Sequence, residues 1–229
     1  MPRPPRTDIA DITYHVINRA NACVQIFDTS SDYQTFEATL NDAKERIDMR
    51  IHAYCLMPNH WHLILQPRND WDLSGFMKWL TLTHTKRWHS AHDTAGTGHL
   101  YQGRYKSFPI QSDEYFLTVC RYVEQNPLRA KLVKRAQDWR WGSLRRREYG
   151  TPGQKTLLNK WDTEQPHYYS SWVNEIESTE SLDRLRSCVN RGRPFGNESW
   201  VEKVTKEWNL ESTFRREGRP ASGNAQNYS

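Results

Sequence analysis

The residues of this 229-residue chain with the most chemistry in their spacing are two histidines, a tyrosine and an asparagine. His60 and His62 lie in the run Met57-Pro58-Asn59-His60-Trp61-His62-Leu63-Ile64-Leu65, which reads as a turn feeding a strongly apolar strand. Successive strand side chains point to opposite faces. The two imidazoles therefore share a face, with α-carbons roughly 6.6 Å apart, while Trp61 and Leu63 point the other way. Two imidazoles fixed side by side begin a divalent-metal site but do not complete one. Alone, the same pair also suits a half-exposed strand face. Further on, Tyr122 and Asn126 stand at i and i+4 of an expected helix, on one face and about one turn apart. Tyr122 then offers a nucleophilic hydroxyl, and Asn126 a carbonyl oxygen to a metal held by His60 and His62. By composition alone, that helix also reads as an ordinary amphipathic one with Tyr115 and Tyr122 packed in the core.

The reaction these residue types suit is phosphodiester cleavage. The scissile phosphate needs its charge neutralised and a hydroxyl brought in line, and a divalent ion acts as Lewis acid and template. Attack by a tyrosine leaves a phosphotyrosine and a free 3′-hydroxyl, so the bond energy is kept for rejoining. Two neutral imidazoles and an amide oxygen suit Mn²⁺ or Mg²⁺, with N/O ligation favouring Mn²⁺ somewhat.

The elements that must position these groups follow from local signals. Residues 11–18 are rich in β-branched and aromatic side chains and read as a first strand. The polar cluster from Asp28 to Asp32 opens a helix with apolar positions Tyr33, Phe36, Leu40, Ala43 and Ile47. Residues 50–57 alternate as a second strand, and the Met-Pro-Asn turn makes the His60 strand its antiparallel hairpin partner. A second helix begins near Asp72, with Leu73, Phe76, Met77 and Leu80 on one stripe, and runs into the basic segment Lys86-Arg87-Trp88. Residues 90–98 read as a loop, and a fourth strand ends at Ile110. Ser112-Asp113-Glu114 starts a third helix, which should end near Asn126 because Pro127 disfavours helical geometry before it. The order strand, helix, strand, strand, helix, strand is the split β-α-β of ferredoxin-like folds, an α+β sheet with helices on one face.

The chain carries a net charge of +5 with ten Trp and eleven Tyr, a balance that favours a polyanionic partner with bases to stack on. Candidate contacts are Arg104, Tyr105 and Lys106, where rings and cations interleave, then Lys86, Arg87, Arg129 and the Arg145-Arg146-Arg147 run. A solvated helical face is the alternative for Lys86 and Arg87. Cys23, Cys55, Cys120 and Cys188 form no CxxC pair, which argues against a zinc ribbon. The opening Met1-Pro2-Arg3-Pro4-Pro5-Arg6 is no signal peptide, and no apolar run spans a membrane. A reduced, soluble, cytoplasmic protein is the expectation. Composition shifts after Gly150: residues 151–178 read as a linker, 179–220 as an accessory helical segment, and 221–229 as a disordered tail. In the accessory segment Arg191-Gly192-Arg193-Pro194 resembles a minor-groove AT-hook core, which adds Arg191 and Arg193 to the DNA-binding candidates.

The pattern His60-Trp61-His62 matches the HUH motif, and Tyr122-Val123-Glu124-Gln125-Asn126-Pro127-Leu128-Arg129-Ala130 resembles the signature of REP-associated tyrosine transposases. These are relatives of the single-tyrosine HUH transposases of small insertion sequences. The resemblance spans roughly residues 8–150. It implies an HUH nuclease fold that cuts single-stranded DNA beside palindromic hairpins through a 5′-phosphotyrosine. It further implies Tyr122 as nucleophile and His60, His62 and Asn126 as metal ligands. The third ligand of the insertion-sequence relatives is usually Gln, so Asn126 is a shorter substitute. Tyr115, two turns earlier, is the competing nucleophile. Those relatives are dimers that exchange the tyrosine helix, so this chain is expected as a monomer or homodimer. A hairpin binder that does not cleave is the alternative function.

Overall fold

The computed structural model of the protein describes residues 7–215. Four strands, β1 (Thr13–Arg19), β2 (Met49–Met57), β3 (His60–Pro67) and β4 (Lys106–Ile110), form one sheet in the order β2-β3-β1-β4. Every neighbouring pair is antiparallel. Helix α1 (Ser30–Arg46) joins β1 to β2, and α2 (Asp72–Ala91) joins β3 to β4, giving the split β-α-β expected. Pro58 and Asn59 make the tight turn that pairs Met57 with His60. At the start of α1, Thr29 caps the helix and Asp32 bonds back to the Thr29 backbone N–H, so two free donors are satisfied at once.

Helices α1 and α2 lie on one face. They bury Phe36, Leu40, Phe76, Met77 and Leu80 against Trp61, Leu63 and Leu65 of β3. The other face is covered as well. Nearly every residue of β2 and β3 is buried, and strands apolar on both faces need cover on both. Helix α3 (Glu114–Glu124) supplies that cover, packing Phe116, Val119, Cys120 and Val123 on Cys55, Ile64, Phe108 and Ile110.

Beyond α3 come α4 (Asn126–Arg129), α5 (Ser143–Tyr149), α6 (Pro152–Lys155), α7 (Tyr169–Asn174), α8 (Thr179–Arg191) and α9 (Glu198–Glu207). The stretch expected as a linker contributes Trp161, Tyr169 and Val173 to this second core, beside Leu185, Cys188 and Phe195. Trp161 Nε1 donates to the His52 carbonyl at 2.8 Å. Phe195 runs alongside β4, donating to Pro109 O and accepting from Gln111 N, both at 2.9 Å. No described helix is long and apolar enough to cross a membrane, and all four cysteines are free. Residues 1–6 and 216–229, the latter including the expected tail over 221–229, lie outside the described residues.

Candidate functional site

The strand register puts the two histidines on the α3 face, at the end of β3 nearest the hairpin turn. Across the sheet, His62 pairs with Ile17 and His60 with Arg19. Each imidazole has its Nδ1 occupied: His60 by Asn59 Oδ1 at 2.6 Å, His62 by His15 Nε2 at 2.8 Å. Neither Nε2 makes a hydrogen bond among the described residues. The rings lie 5.1 Å apart, centroid to centroid. Burial pushes His60 down to about 4, with Arg19 adding to the effect. Burial also holds His62 well below the ordinary imidazole range, helped by His15 and His60. Both rings are therefore neutral near pH 7, and each Nε2 offers a lone pair when its Nδ1 carries the hydrogen. That donor set fits a borderline divalent cation. No group of three His, Cys, Asp or Glu side chains among the described residues is placed to hold a metal ion, so a third protein ligand would come from another residue type.

Tyr122 reaches this pair within its own chain. Its ring stands edge-on to His62 at 6.0 Å, and to His15 at 6.3 Å. The side chain is 7% exposed. Burial raises its phenol above the ordinary value, while the nearby Arg129 guanidinium pulls it down. Arg129 lies 4.3 Å from the Tyr122 ring centre. It also donates to Tyr122 O at 2.7 Å, Asn126 Oδ1 at 2.9 Å and Gln125 Oε1 at 2.9 Å, and pairs with Glu177 at 3.7 Å. Asn126 follows directly from the sequence around it. Helix α3 stops at Glu124, and Pro127 falls in the first turn of α4, where its missing N–H is tolerated. The Asn126 amide supplies a donor instead, bonding Val123 O at 3.1 Å and Tyr122 O at 3.2 Å. Its oxygen has given one lone pair to Arg129 and keeps the other. Tyr115 is directed elsewhere, packing edge-on against Phe195.

The candidate DNA contacts divide. Arg104 and Lys106 are exposed and line an open groove of about 840 Å³ together with Arg19, Asn190, Arg191 and Thr213. Arg19 also stands beside His60, so the groove begins where the histidine pair ends. Tyr105 is at its edge but 7% exposed, which removes it as an open stacking platform. Arg87 is held by Asp42 at 2.7 Å and Thr39 at 2.9 Å, fastening α2 to α1 on the sheet face away from the histidines. Lys86, on the same helix, is exposed. Arg193 does not extend as a groove-reaching arm: it donates to Thr213 O and lies over Phe214. Arg191 bonds Arg215 O at 2.6 Å. In the Arg145–Arg147 run, Arg146 pairs with Glu37 and Arg147 with buried Glu124, leaving Arg145 exposed. Two residues of the site were not singled out from the sequence, His15 and Arg19. Both belong to β1 and reach the site only through its register with β3.

The sequence matches no curated protein. Among solved structures, a REP-associated tyrosine transposase bound to a REP hairpin matches with a TM-score of 0.55. It is 20% identical, and the alignment covers 73% of this chain and 96% of that one. A putative transposase from Deinococcus radiodurans matches with a TM-score of 0.39 at 20% identity, over 54% of this chain and 96% of that one. The family model for IS200-like transposases matches residues 8–126. That stretch is more than half of the protein and holds the whole sheet, the histidine pair and the tyrosine helix. The chain belongs to the IS200-like transposase family.

Proposed function

We propose that the protein is a metal-dependent endonuclease and strand transferase of single-stranded DNA, of the HUH type. It would act beside hairpins of repetitive extragenic palindromes through Tyr122. The observation that carries this reading is the edge-on approach of the Tyr122 ring to His62 at 6.0 Å within one chain. One chain thus holds both the nucleophile and the histidine pair, and a monomer suffices. A Mg²⁺ or Mn²⁺ ion on the Nε2 atoms of His60 and His62, with Asn126 Oδ1 as third ligand, would supply Lewis acidity at the scissile phosphate. Tyr122 Oη attacks phosphorus and loses its proton. The 3′-oxygen leaves and takes up a proton, and the 5′-phosphate stays on the tyrosine. Arg129 eases that proton loss by placing a fixed positive charge against the phenol ring. Arg19, Arg104, Lys106 and Arg191 line the groove that would take the single-stranded flank, gripping phosphates without reading sequence. Residues 1–150 carry the chemistry in this reading. Residues 179–215, through Asn190, Arg191 and Thr213, add a wall of the groove. The hairpin bound in the matching solved structure accords with a stem-and-flank substrate.

A second reading, hairpin binding without cleavage, draws on the engagement of Asn126 Oδ1 by Arg129. An end-labelled hairpin with a single-stranded flank separates the two. The nuclease reading expects cleavage in the flank with Mg²⁺ or Mn²⁺, none with chelator, and none on a fully paired duplex. Binding with no cleavage in either ion supports the binder.

A further inference from the structure

His15 is fully buried in the middle of β1, paired across the sheet with Ile64 on one side and Phe108 on the other. Its ring is enclosed by His62 at 5.0 Å, Phe108 at 4.9 Å and Tyr122 at 6.3 Å. Its Nε2 lies 2.8 Å from His62 Nδ1. Its Nδ1 is buried with no partner. A phenylalanine or leucine would fill this place without leaving a buried nitrogen unpaired, and an unpaired buried nitrogen is costly and uncommon. Packing alone therefore does not account for a histidine here, and the contact with His62 does.

Only one of the two nitrogens in that contact can carry the hydrogen. If His15 Nε2 carries it, His62 Nδ1 is the acceptor, and neutral His62 must carry its own hydrogen on Nε2. If His62 Nδ1 carries it, His15 Nε2 accepts, and His62 Nε2 keeps a bare lone pair. Both arrangements hold two neutral rings and the same number of hydrogens. In the second, however, His15 carries its own on Nδ1, where no acceptor lies, so a cation on His62 Nε2 must offset that unmet donor. We propose that His15 is a positioning residue: by accepting at Nε2 it holds His62 as the Nδ1–H tautomer, with Nε2 aimed as a metal ligand. The inference rests on reading His60 and His62 as a metal pair. It adds a role for a residue on a different strand that touches neither DNA nor cation. The partner of a ligating imidazole sets both its tautomer and its direction, and losing such a partner typically weakens metal binding 10- to 100-fold.

The test uses the full chain and Mn²⁺ alone, with binding followed by electron paramagnetic resonance and calorimetry and no DNA present. His15→Phe preserves the aromatic packing on Phe108 and is expected to weaken Mn²⁺ binding about 10- to 100-fold. His15→Gln places an amide near the lost Nε2 and is expected to recover much of that affinity, which a space-filling role would not produce. In ¹⁵N-histidine spectra of the wild type with Mg²⁺, His62 Nδ1 should appear protonated and His15 Nε2 unprotonated, a readout that needs no variant to fold. Wild type that takes up no Mn²⁺ removes the metal pair itself, and the inference with it. Mn²⁺ binding in wild type that is equal in His15→Phe, or an Nε2–H tautomer of His62 with metal present, overturns the role of His15 alone.

Discussion

Arg129 is the side chain on which the tyrosine end of the site converges, holding Tyr122 O, Asn126 Oδ1 and Gln125 Oε1 while lying over the Tyr122 ring. Replacing it by Ala removes three charge-assisted hydrogen bonds from a half-buried position. The expected cost is about 2 kcal/mol in denaturant unfolding, together with slower adduct formation. Arg129→Lys keeps the charge but cannot fork between three acceptors, so it should fall between the two in stability. Tyr122 and Asn126 were expected on one helix; the structure ends α3 at Glu124 and opens α4 at Asn126, yet the short helical turn between them keeps the Asn126 amide on the Tyr122 carbonyl. Arg129 was read as a phosphate contact, and its bonds to its own helix end became visible only in three dimensions. His15 was not legible as part of the site. Its meeting with His62 depends on how β1 registers with β3, and a slip of one residue would turn it to the opposite face.

At the level of elements, the two halves of the sheet's surroundings differ in how they were read. The hairpin turn, the capped start of α1 and the apolar stripes of α1 and α2 are short-range signals, and the split β-α-β followed from them. The cover of the second face did not. Trp161 stands alone in a polar stretch, and Tyr169 and Val173 face the core from the six-residue helix α7, too short to leave a sustained period in the sequence. Glu124 shows how tightly α3 depends on that cover: its buried carboxylate accepts from Tyr169 Oη at 2.8 Å, from Arg147 at 3.1 Å and from Ser143. Tyr169→Phe should cost about 1–3 kcal/mol by thermal or denaturant unfolding, because the carboxylate loses a donor it cannot replace with water. A chain cut after Gly150 loses Trp161, Tyr169, Val173, Leu185 and Phe195 together. Burial of each large side chain contributes a few kcal/mol, about 3–5 for an aromatic. Such a fragment should show no cooperative thermal transition by circular dichroism and should expose apolar surface to a fluorescent probe.

Over the whole molecule, charge and burial set the response to pH. His52 under the α3 face and His84 under the α1–α2 face are both held neutral by burial, to about 4 and about 3 respectively. An unfolded histidine titrates near 6.5. The unfolded chain therefore binds more protons than the folded one between those limits. Stability from these groups is complete above about pH 6.5 and is lost as pH falls towards 4, each histidine adding a slope of up to about 1.4 kcal/mol per pH unit. Unfolding at pH 5.5 should take up more than one proton, and His84→Gln should reduce that uptake. The basic balance of the chain, a net +5, was legible in the sequence as a preference for polyanions. Its focus in the groove beside His60 was not, because Arg19, Arg104 and Arg191 come from distant segments. What most directly tests the account is covalent capture of the substrate. Wild type, Tyr122→Phe and Tyr115→Phe are each incubated with labelled hairpin and Mn²⁺, then resolved under denaturing conditions. A protein–DNA band is expected for wild type and Tyr115→Phe, and none for Tyr122→Phe despite unchanged hairpin binding. An adduct that persists in Tyr122→Phe would contradict it.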